Sequence, residues 1–264
     1  MIDVKNLSFR YSVKSKEVLS NLSFHLDDAD ILCILGQNGI GKTTLLKCIT
    51  GEIKSYDGLV LIDGKPVPEY GISELARKIA IVASNNAVYQ DLCVADYLLT
   101  GLAARIAPFG GPRKEQYEGA YAALDSLGKG ELFNRSMSQL SSGEQQIIKM
   151  ARAIVQDPQI ILFDEPTSNL DVNNQLLVID RITLLAQRGY TVMTTTHNPG
   201  QAIELNRKVL MFFPDQTYLF GDEKELMTAE NLTRMYGLEA SVEEDSHRRY
   251  VVFSSKQKLH DLFY

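Results

Sequence analysis

The sequence has no tryptophan, only three cysteines and no basic tract. Among its 264 residues, 33 acidic side chains outnumber 27 basic ones, which gives a formal net charge of −6. A protein that follows a nucleic-acid backbone needs a field of lysines and arginines. We therefore expect no nucleic-acid partner.

The cysteines, Cys33, Cys48 and Cys93, are odd in number and form no C-x-x-C pair. Cys33 lies in a predicted strand and Cys48 in a predicted helix, where small buried thiols are the expected interpretation. This pattern favours a reduced, intracellular compartment.

Long apolar runs are also missing. A membrane-spanning helix needs about 20 consecutive apolar residues, and no run here approaches that length. Residues 1–5 lack the apolar segment of a signal peptide. We expect any role at a membrane to be exerted through a partner protein, while a hydrophobic content of 45% is sufficient for a globular core.

The sequence does contain a glycine-rich turn between an apolar strand and a helical segment. Residues 36–44 match the P-loop pattern G-x-x-x-x-G-K-[ST] and follow the apolar run 31–35. Glycines let backbone N–H groups close around phosphate oxygens, and the helix N-terminus adds unpaired donors with partial positive charge. Lys42 should reach the β- and γ-phosphates of a nucleoside triphosphate, and the Thr43 hydroxyl should hold Mg²⁺. The predicted nucleotide-binding residues are Gly36, Gln37, Asn38, Gly39, Ile40, Gly41, Lys42, Thr43 and Thr44.

A second apolar strand, residues 160–163, ends in two carboxylates, Asp164 and Glu165. Carboxylates at the end of a buried strand are costly to desolvate unless a cation compensates them. Asp164 is suited to bind Mg²⁺ through water, and Glu165 to polarise an attacking water as general base. The alternative is a helix N-terminal cap in which Pro166 occupies the first turn.

Apolar strands alternate with helical segments, which predicts an α/β fold: a P-loop NTPase core with a mainly parallel sheet. Ligands gather at the carboxyl ends of strands in such sheets. Gly36, Asp164 and His197 each follow an apolar strand directly. We therefore expect these three residues to converge.

Two further units are predicted around this core. Short strands within residues 2–26 and 57–65 indicate a flanking antiparallel β subdomain. Helical spacing indicates a helical subdomain inserted at about residues 85–145 of one domain spanning residues 1–264. From residue 222 onward the sequence is charged and mixed.

Residues 140–146, LSSGEQQ, open a helical segment shortly before the carboxylate strand. A polar, glycine-containing turn at a helix N-terminus is an anion site. Here the chain resembles the ATP-binding cassette (ABC) ATPases, whose signature is usually L-S-G-G-Q; Ser142 replaces the first glycine and Glu144 the glutamine. The resemblance implies that this turn contacts the γ-phosphate of ATP held by the other subunit of a head-to-tail dimer. Its residues are Ser141, Ser142, Gly143 and Glu144.

The resemblance implies roles for three more residues. Tyr11 matches the aromatic residue that stacks on adenine, and a half-exposed strand aromatic is the alternative. Asp171 looks like the residue of the next loop that reaches across the dimer. His197 matches the histidine that senses the γ-phosphate and supports Glu165. The other histidines lack such a context and are expected to be structural or solvated: His25, His247 and His260.

One position departs from the family pattern. The family has a glutamine, after the strand at residues 79–82, that touches Mg²⁺ and water and relays the nucleotide state to the membrane partner. Alignment places Ser84 there. Either Ser84 acts on the metal through a water, or Asn85 replaces the glutamine after a one-residue shift. We expect slower hydrolysis or altered coupling.

The resemblance extends through nearly the whole chain and implies an ATPase subunit that uses ATP and Mg²⁺. It implies that two copies dimerise on ATP and move transmembrane permease subunits through the helical subdomain, at the cytoplasmic face of the cell membrane. Residues 91–101 and 221–237 resemble bacterial importer ATPases for iron chelates, haem and cobalamin. The alternatives are another solute, an exporter, or a binding-only subunit impaired by Ser84 and Ser142.

Two other classes of cassette protein are not predicted. A class that acts on DNA carries a long coiled-coil insertion between P-loop and signature, where this chain is short and broken by glycine and proline. A translation-type cassette protein normally has two cassettes, and this sequence has one P-loop.

Overall fold

Strands and helices alternate along most of the chain, whose computed structural model describes residues 1–83, 91–105, 111–246 and 248–254. The strands are β1 (Ile2–Phe9), β2 (Leu19–Leu26), β3 (Ile31–Leu35), β4 (Asp57–Ile62), β5 (Lys65–Pro66), β6 (Ile79–Ala83), β7 (Ile160–Asp164), β8 (Thr191–Thr196), β9 (Lys208–Phe212), β10 (Tyr218–Asp222), β11 (Glu239–Glu244) and β12 (Arg249–Ser254). The helices are α1 (Lys42–Ile49), α2 (Ile72–Lys78), α3 (Val94–Leu99), α4 (Lys114–Asp125), α5 (Ser142–Val155), α6 (Val172–Gln187), α7 (Pro199–Leu205), α8 (Glu223–Leu226) and α9 (Ala229–Tyr236). The predicted α/β fold class is confirmed.

A mainly parallel sheet has the strand order β10-β9-β3-β8-β7-β6. Its neighbouring strands run parallel except β9 and β10, which pair antiparallel. Because β3, β8 and β7 are adjacent and parallel, their carboxyl ends meet at one edge of the sheet. That edge is where the polar residues predicted to converge are located.

A second sheet, β2-β1-β4-β5, is antiparallel. Along β1, Ile2, Val4 and Leu7 are buried, and the register shifts between Val4 and Leu7. The extra residue explains why the period-two alternation of the sequence breaks there. The predicted flanking antiparallel sheet is confirmed.

Side chains of β3 alternate between two hydrophobic cores. Ile31, Cys33 and Leu35 belong to a core shared with the helices that follow β6, whereas Leu32 and Ile34 belong to a core shared with α1 and the antiparallel sheet. A parallel strand covered on both faces must be apolar throughout. All five residues of β3 are accordingly buried.

Helices α3, α4 and α5 lie between β6 and β7 in the chain. Helices α3 and α4 fall within residues 85–145, and α5 begins at the end of that range and continues to Val155. Leu98, Leu124 and Ile148, one from each helix, are fully buried in the same core as the odd-numbered residues of β3. Residues 84–90 and 106–110 of this range lie outside the described residues. In the described part of the chain, no helix is long and apolar enough to cross a bilayer.

Cys33 and Cys48 are buried in these cores, as expected from the sequence. Burial raises the pKa of each thiol to about 12. Both remain protonated at neutral pH, and a protonated thiol is a poor nucleophile and metal ligand.

The charged and mixed sequence after residue 222 forms four elements, α8, α9, β11 and β12. Helix α9 buries Leu232 and Met235. Thr228 caps its first turn by accepting a hydrogen bond from the Asn231 backbone N–H (3.2 Å), and Gly237 ends it with a φ of 69°. These start and stop residues were a local signal for the helix, which the mixed composition obscured.

Candidate functional site

The P-loop occupies the turn between β3 and α1. Gly41 has a φ of 117°, and a Cβ there would lie 3.0 Å from the Val18 carbonyl oxygen, so glycine is required. In the part of the chain that the structure describes, no side chain caps the first turn of α1, so its backbone N–H groups can bind an anion. A cleft of about 230 Å³ lies against the loop and is lined by Asn38, Gly39, Gly41, Lys42, Thr43, Thr44 and Glu165.

The Lys42 ammonium lies at the mouth of this loop. Its side chain is only 4% exposed, and Nζ donates hydrogen bonds to the carbonyl oxygens of Gly36 (2.8 Å) and Gln37 (3.1 Å). It is also 3.4 Å from Glu165 Oε1. A buried ammonium held by backbone carbonyls and one carboxylate can be offered to a phosphate oxygen.

Thr43 and Asp164 come together as predicted from the strand ends. The Thr43 hydroxyl donates to Asp164 Oδ2 at 3.0 Å. A hydroxyl and a carboxylate are hard oxygen donors, the chemistry that Mg²⁺ takes when most of its ligands are waters and phosphates. The residues present therefore fit a magnesium ion.

Thr195 orients both carboxylate residues, and sequence reasoning missed it. This fully buried residue donates from Oγ1 to Asp164 Oδ1 at 2.7 Å and accepts from the Glu165 backbone N–H at 2.9 Å. The register of β7 and β8 pairs Asp164 with Thr195. The run of threonines that ends β8 was the available signal, but only the sheet order shows which strand Thr195 faces.

Glu165 lies between two basic groups. Besides the 3.4 Å contact with Lys42, its Oε2 is 3.6 Å from Nδ1 of His197. Its φ of 48° is uncommon for a residue with a side chain and is typical of functional positions. The alternative of a helix starting at Pro166 is not borne out, since the next helix begins at Val172.

A second cleft, of about 450 Å³, adjoins Glu165. Its lining includes His197, Asn38, Ser168 and Gln201. A partly exposed carboxylate facing such a cleft can accept a proton from a water molecule held there. Gly36, Asp164 and His197 thus meet at the strand ends, with the Gly36 N–H donating to the Thr196 carbonyl at 3.3 Å.

Tyr11 lies just beyond β1 and beside the P-loop. Its ring is 62% exposed, and its hydroxyl is 3.1 Å from Thr44 Oγ1. Phe9 supports it edge-to-face with ring centroids 4.9 Å apart. An exposed ring in this place can stack on a planar base, and its role stays a prediction.

The signature turn (residues 141–144) begins α5 and is exposed at Ser141 and Ser142. Ser141 caps the helix through a reciprocal pair of hydrogen bonds with Glu144, whose Oε2 accepts from the Ser141 N–H at 2.9 Å. That backbone hydrogen bond is the largest cause lowering the pKa of Glu144. Among the residues that the structure describes, no hydrogen bond or ion pair joins this turn to the P-loop of the same chain.

Asp171 and the signature turn are joined through Asn174, which sequence reasoning also missed. Asp171 caps α6 by accepting from the Asn174 backbone N–H (2.9 Å), and the Asn174 side chain donates to Asp171 Oδ2 (2.7 Å). A Cβ added at Gly143 would lie 2.2 Å from Asn174 Oδ1. Glycine at this position of the signature therefore lets the starts of α5 and α6 pack together.

The remaining residues singled out from the sequence either lie at the protein surface or fall outside the residues that the structure describes. Ser84, His247 and His260 lie outside the described residues. His25 is half exposed and bonds to Asp3 and Asp27, which raise its pKa, so it is a surface residue as expected.

Comparisons with known proteins add independent findings. Residues 19–168 match the family model described as ABC transporter. The molybdate import ATP-binding protein MolC of Haemophilus influenzae is 35% identical over 238 residues, which are 90% of this chain and 88% of that protein. A probable iron chelatin transport ATP-binding protein of Helicobacter pylori is 32% identical over 241 residues, 89% of this chain and 92% of that one. A solved structure described as an inward-facing, metal-chelate type ABC transporter superposes with a TM-score of 0.85 at 32% identity, covering 97% of both chains.

Proposed function

This chain belongs to the ABC transporter family and is an ATP-binding, ATP-hydrolysing subunit of a transporter, and we propose that it powers a bacterial importer of iron-siderophore, haem or cobalamin-type solutes. The observation that carries the assignment of the catalytic centre is the position of Glu165 at the P-loop, between Lys42 and His197.

In this proposal each residue acts on ATP and one water. The P-loop N–H groups and Lys42 bind the β- and γ-phosphates, and Tyr11 stacks on the adenine. Thr43 and Asp164 would hold Mg²⁺, which neutralises charge that develops on the phosphates. Glu165 accepts the proton of the attacking water.

His197 holds the γ-phosphate and keeps Glu165 directed at the water. The 3.6 Å separation of Nδ1 and Oε2 supports this role. It leaves room for both side chains to tighten around a bound substrate.

The signature turn completes the site of a second copy of the chain. Its separation from the P-loop of its own chain supports action across a dimer, as does the exposed apolar side chain of Val172 (71%), next to Asp171 at the start of α6. Each of two ATP molecules would be bound by one P-loop and by Ser141–Glu144 of the other copy. Asp171 would reach across the same interface.

The transmembrane permease is proposed to dock on the helical subdomain (about residues 85–145) and on an adjoining groove at the cytoplasmic face. The groove has a volume of about 520 Å³. Helix α2 and strand β6 line one side of it, and the C-terminal end of α5 lines the other. Its wall carries Ile72, which is 86% exposed, beside Arg152 and Gln156. Ile72→Glu should abolish co-purification with the permease while the isolated subunit keeps its basal ATPase rate; retained co-purification would argue against this groove.

Two classes of solute are supported by relatives. The iron chelatin protein and the metal-chelate type structure favour a metal chelate, and the molybdate protein favours an oxyanion. Transport by proteoliposomes that contain the chain with its permease would discriminate them. ATP-dependent uptake of molybdate without uptake of a ferric chelate, haem or cobalamin would overturn the chelate proposal.

A binding-only subunit is the remaining alternative, because Ser84 and Ser142 depart from the family pattern. Phosphate release from Mg·ATP tests it, with Glu165→Gln as the control that removes the proposed base. Activity in the wild type that is lost in Glu165→Gln supports the proposed centre; equal rates in both would contradict it. Ser84→Gln should raise turnover, and an unchanged rate would count against a role for that position.

A further inference from the structure

We propose that the C-terminal end of α9 positions the catalytic centre, with Tyr236 acting as a positioning residue for His197. The Tyr236 hydroxyl donates a hydrogen bond to the His197 backbone carbonyl at 2.7 Å. This inference rests on the proposed role of His197. Tyr236 lies outside residues 19–168, the part of the chain that matches the family model.

The same helix end also contacts the P-loop. The side chain of Gln37 donates from Nε2 to the Met235 carbonyl at 2.7 Å. Two consecutive residues of α9 therefore contact the loop that follows β8 and the loop that follows β3. A displacement of this helix end would move both loops, which the proposed mechanism needs in one fixed arrangement.

Helix α9 is anchored firmly enough to serve as a reference. Met235 is fully buried, and Arg234 binds Asp215 Oδ2 at 2.7 Å while its guanidinium lies 4.0 Å from the Phe213 ring centroid. The Tyr236 ring packs edge-to-face on Phe253 of β12, with centroids 5.1 Å apart. The hydroxyl is thus presented by a helix that is held by the turn between β9 and β10 and by the hairpin of β11 and β12.

The His197 side chain has little to fix it. It is 53% exposed, and its 3.6 Å approach to Glu165 is longer than a strong hydrogen bond. Its position is therefore set largely by its backbone, which Tyr236 holds. Burial raises the pKa of Tyr236, so the phenol stays protonated and remains a donor throughout the physiological range.

The test is the variant Tyr236→Phe, which keeps the ring and its contact with Phe253 but removes the hydroxyl. We expect kcat for ATP hydrolysis to fall about 3- to 10-fold, the equivalent of one hydrogen bond, with KM for ATP changed less than about 2-fold. Tyr250→Phe is the matched control, because its phenol bonds at 3.2 Å to Glu243 within the same hairpin. The control should keep the wild-type kcat.

A double-mutant cycle separates positioning from general stabilisation. If Tyr236 acts through His197, Tyr236→Phe should cause no further loss in a His197→Ala background. A loss of equal factor in both backgrounds, or a wild-type kcat in Tyr236→Phe, would overturn the inference. Wild-type activity in His197→Ala would overturn it as well, by removing the role on which it rests.

A second variant covers the case in which Tyr236→Phe does not fold. Gln37→Leu removes the other contact of the helix end and should raise KM for ATP about 3- to 10-fold; an unchanged KM would contradict the inference. Failure of the proposed function is distinguishable, since the wild type would then release no phosphate.

Discussion

A methyl group added at Gly143 tests how the signature turn is joined to the loop that follows Glu165. A Cβ there would lie 2.2 Å from Oδ1 and 2.3 Å from Cγ of Asn174. Real carbon atoms do not approach so closely, so the Asn174 side chain must rotate away. Rotation breaks its 2.7 Å hydrogen bond to Asp171 Oδ2.

The expected cost follows from the displacement of the Asn174 side chain. An added methyl group that forces a packed neighbour to move costs about 1–3 kcal/mol, so we expect Gly143→Ala to lower the free energy of unfolding by about that amount. For a chain of this size the Tm should fall by about 2–4 °C per kcal/mol. The higher helix propensity of alanine offsets little of this destabilisation, because Gly143 lies in the first turn of α5 and not in the helix interior.

The assay is denaturant and thermal unfolding of four proteins: the wild type, Gly143→Ala, Asn174→Ala and the double variant. In the Asn174→Ala background the obstructing side chain is absent, so Gly143→Ala should cost less than about 0.5 kcal/mol. Gly119→Ala is the matched control within a helix: no atom lies within 4 Å of its Cβ, and it should stabilise by about 0.4–1 kcal/mol. Equal destabilisation by Gly143→Ala in both backgrounds would refute this reasoning.

Three further variants have defined outcomes. Thr195→Val leaves the Glu165 backbone N–H without its partner and should cost about 1–3 kcal/mol in unfolding free energy, whereas Thr195→Ser should cost less; equal costs would argue against the hydroxyl. Ser141→Ala removes a helix cap and should lower the free energy of unfolding by about 1 kcal/mol. ATP hydrolysis should fall, while the affinity of the monomer for ATP, measured by calorimetry, should stay unchanged. Weaker binding of ATP by the monomer would contradict action across a dimer. Arg234→Ala should raise the pKa of Asp215 from about 2 towards 3.8 in a carboxyl NMR titration. Because the pKa of Asp215 is lower in the folded state than in the unfolded state, the stabilisation by this pair is present above about pH 4 and is lost as the pH falls to about 2. If the pKa of Asp215 stays near 2 in Arg234→Ala, Arg234 is not the main cause of the shift.

The parts of the site predictable from sequence are those in which neighbouring residues in the chain carry the whole signal. The P-loop follows its strand directly, and Asp164 ends its own strand, so the parallel-sheet rule was enough to bring them together. Thr195 and Asn174 escaped prediction because their contacts cross between elements. Thr195 meets Asp164 only through the register of β7 and β8, and Asn174 meets Gly143 only through the packing of two helix starts.

The C-terminal segment escaped prediction for a different reason. Among the described residues, β11 and β12 pair only with each other, and most of their residues are partly or fully exposed. The apolar alternation that predicts a strand is therefore weak. The contact between Tyr236 and His197 joins residues far apart in the chain. Only the three-dimensional structure reveals it.

The most direct test of the proposed ATP-dependent dimer is the mass of Glu165→Gln protein at saturating Mg·ATP, measured by sedimentation equilibrium alone and in complex with its membrane subunits. Because this variant should bind ATP without cleaving it, we expect a dimer that reverts to monomer when the isolated protein is given ADP instead. A strictly monomeric ATPase subunit under both conditions, at an ATP concentration shown to saturate the P-loop, would contradict the central claim.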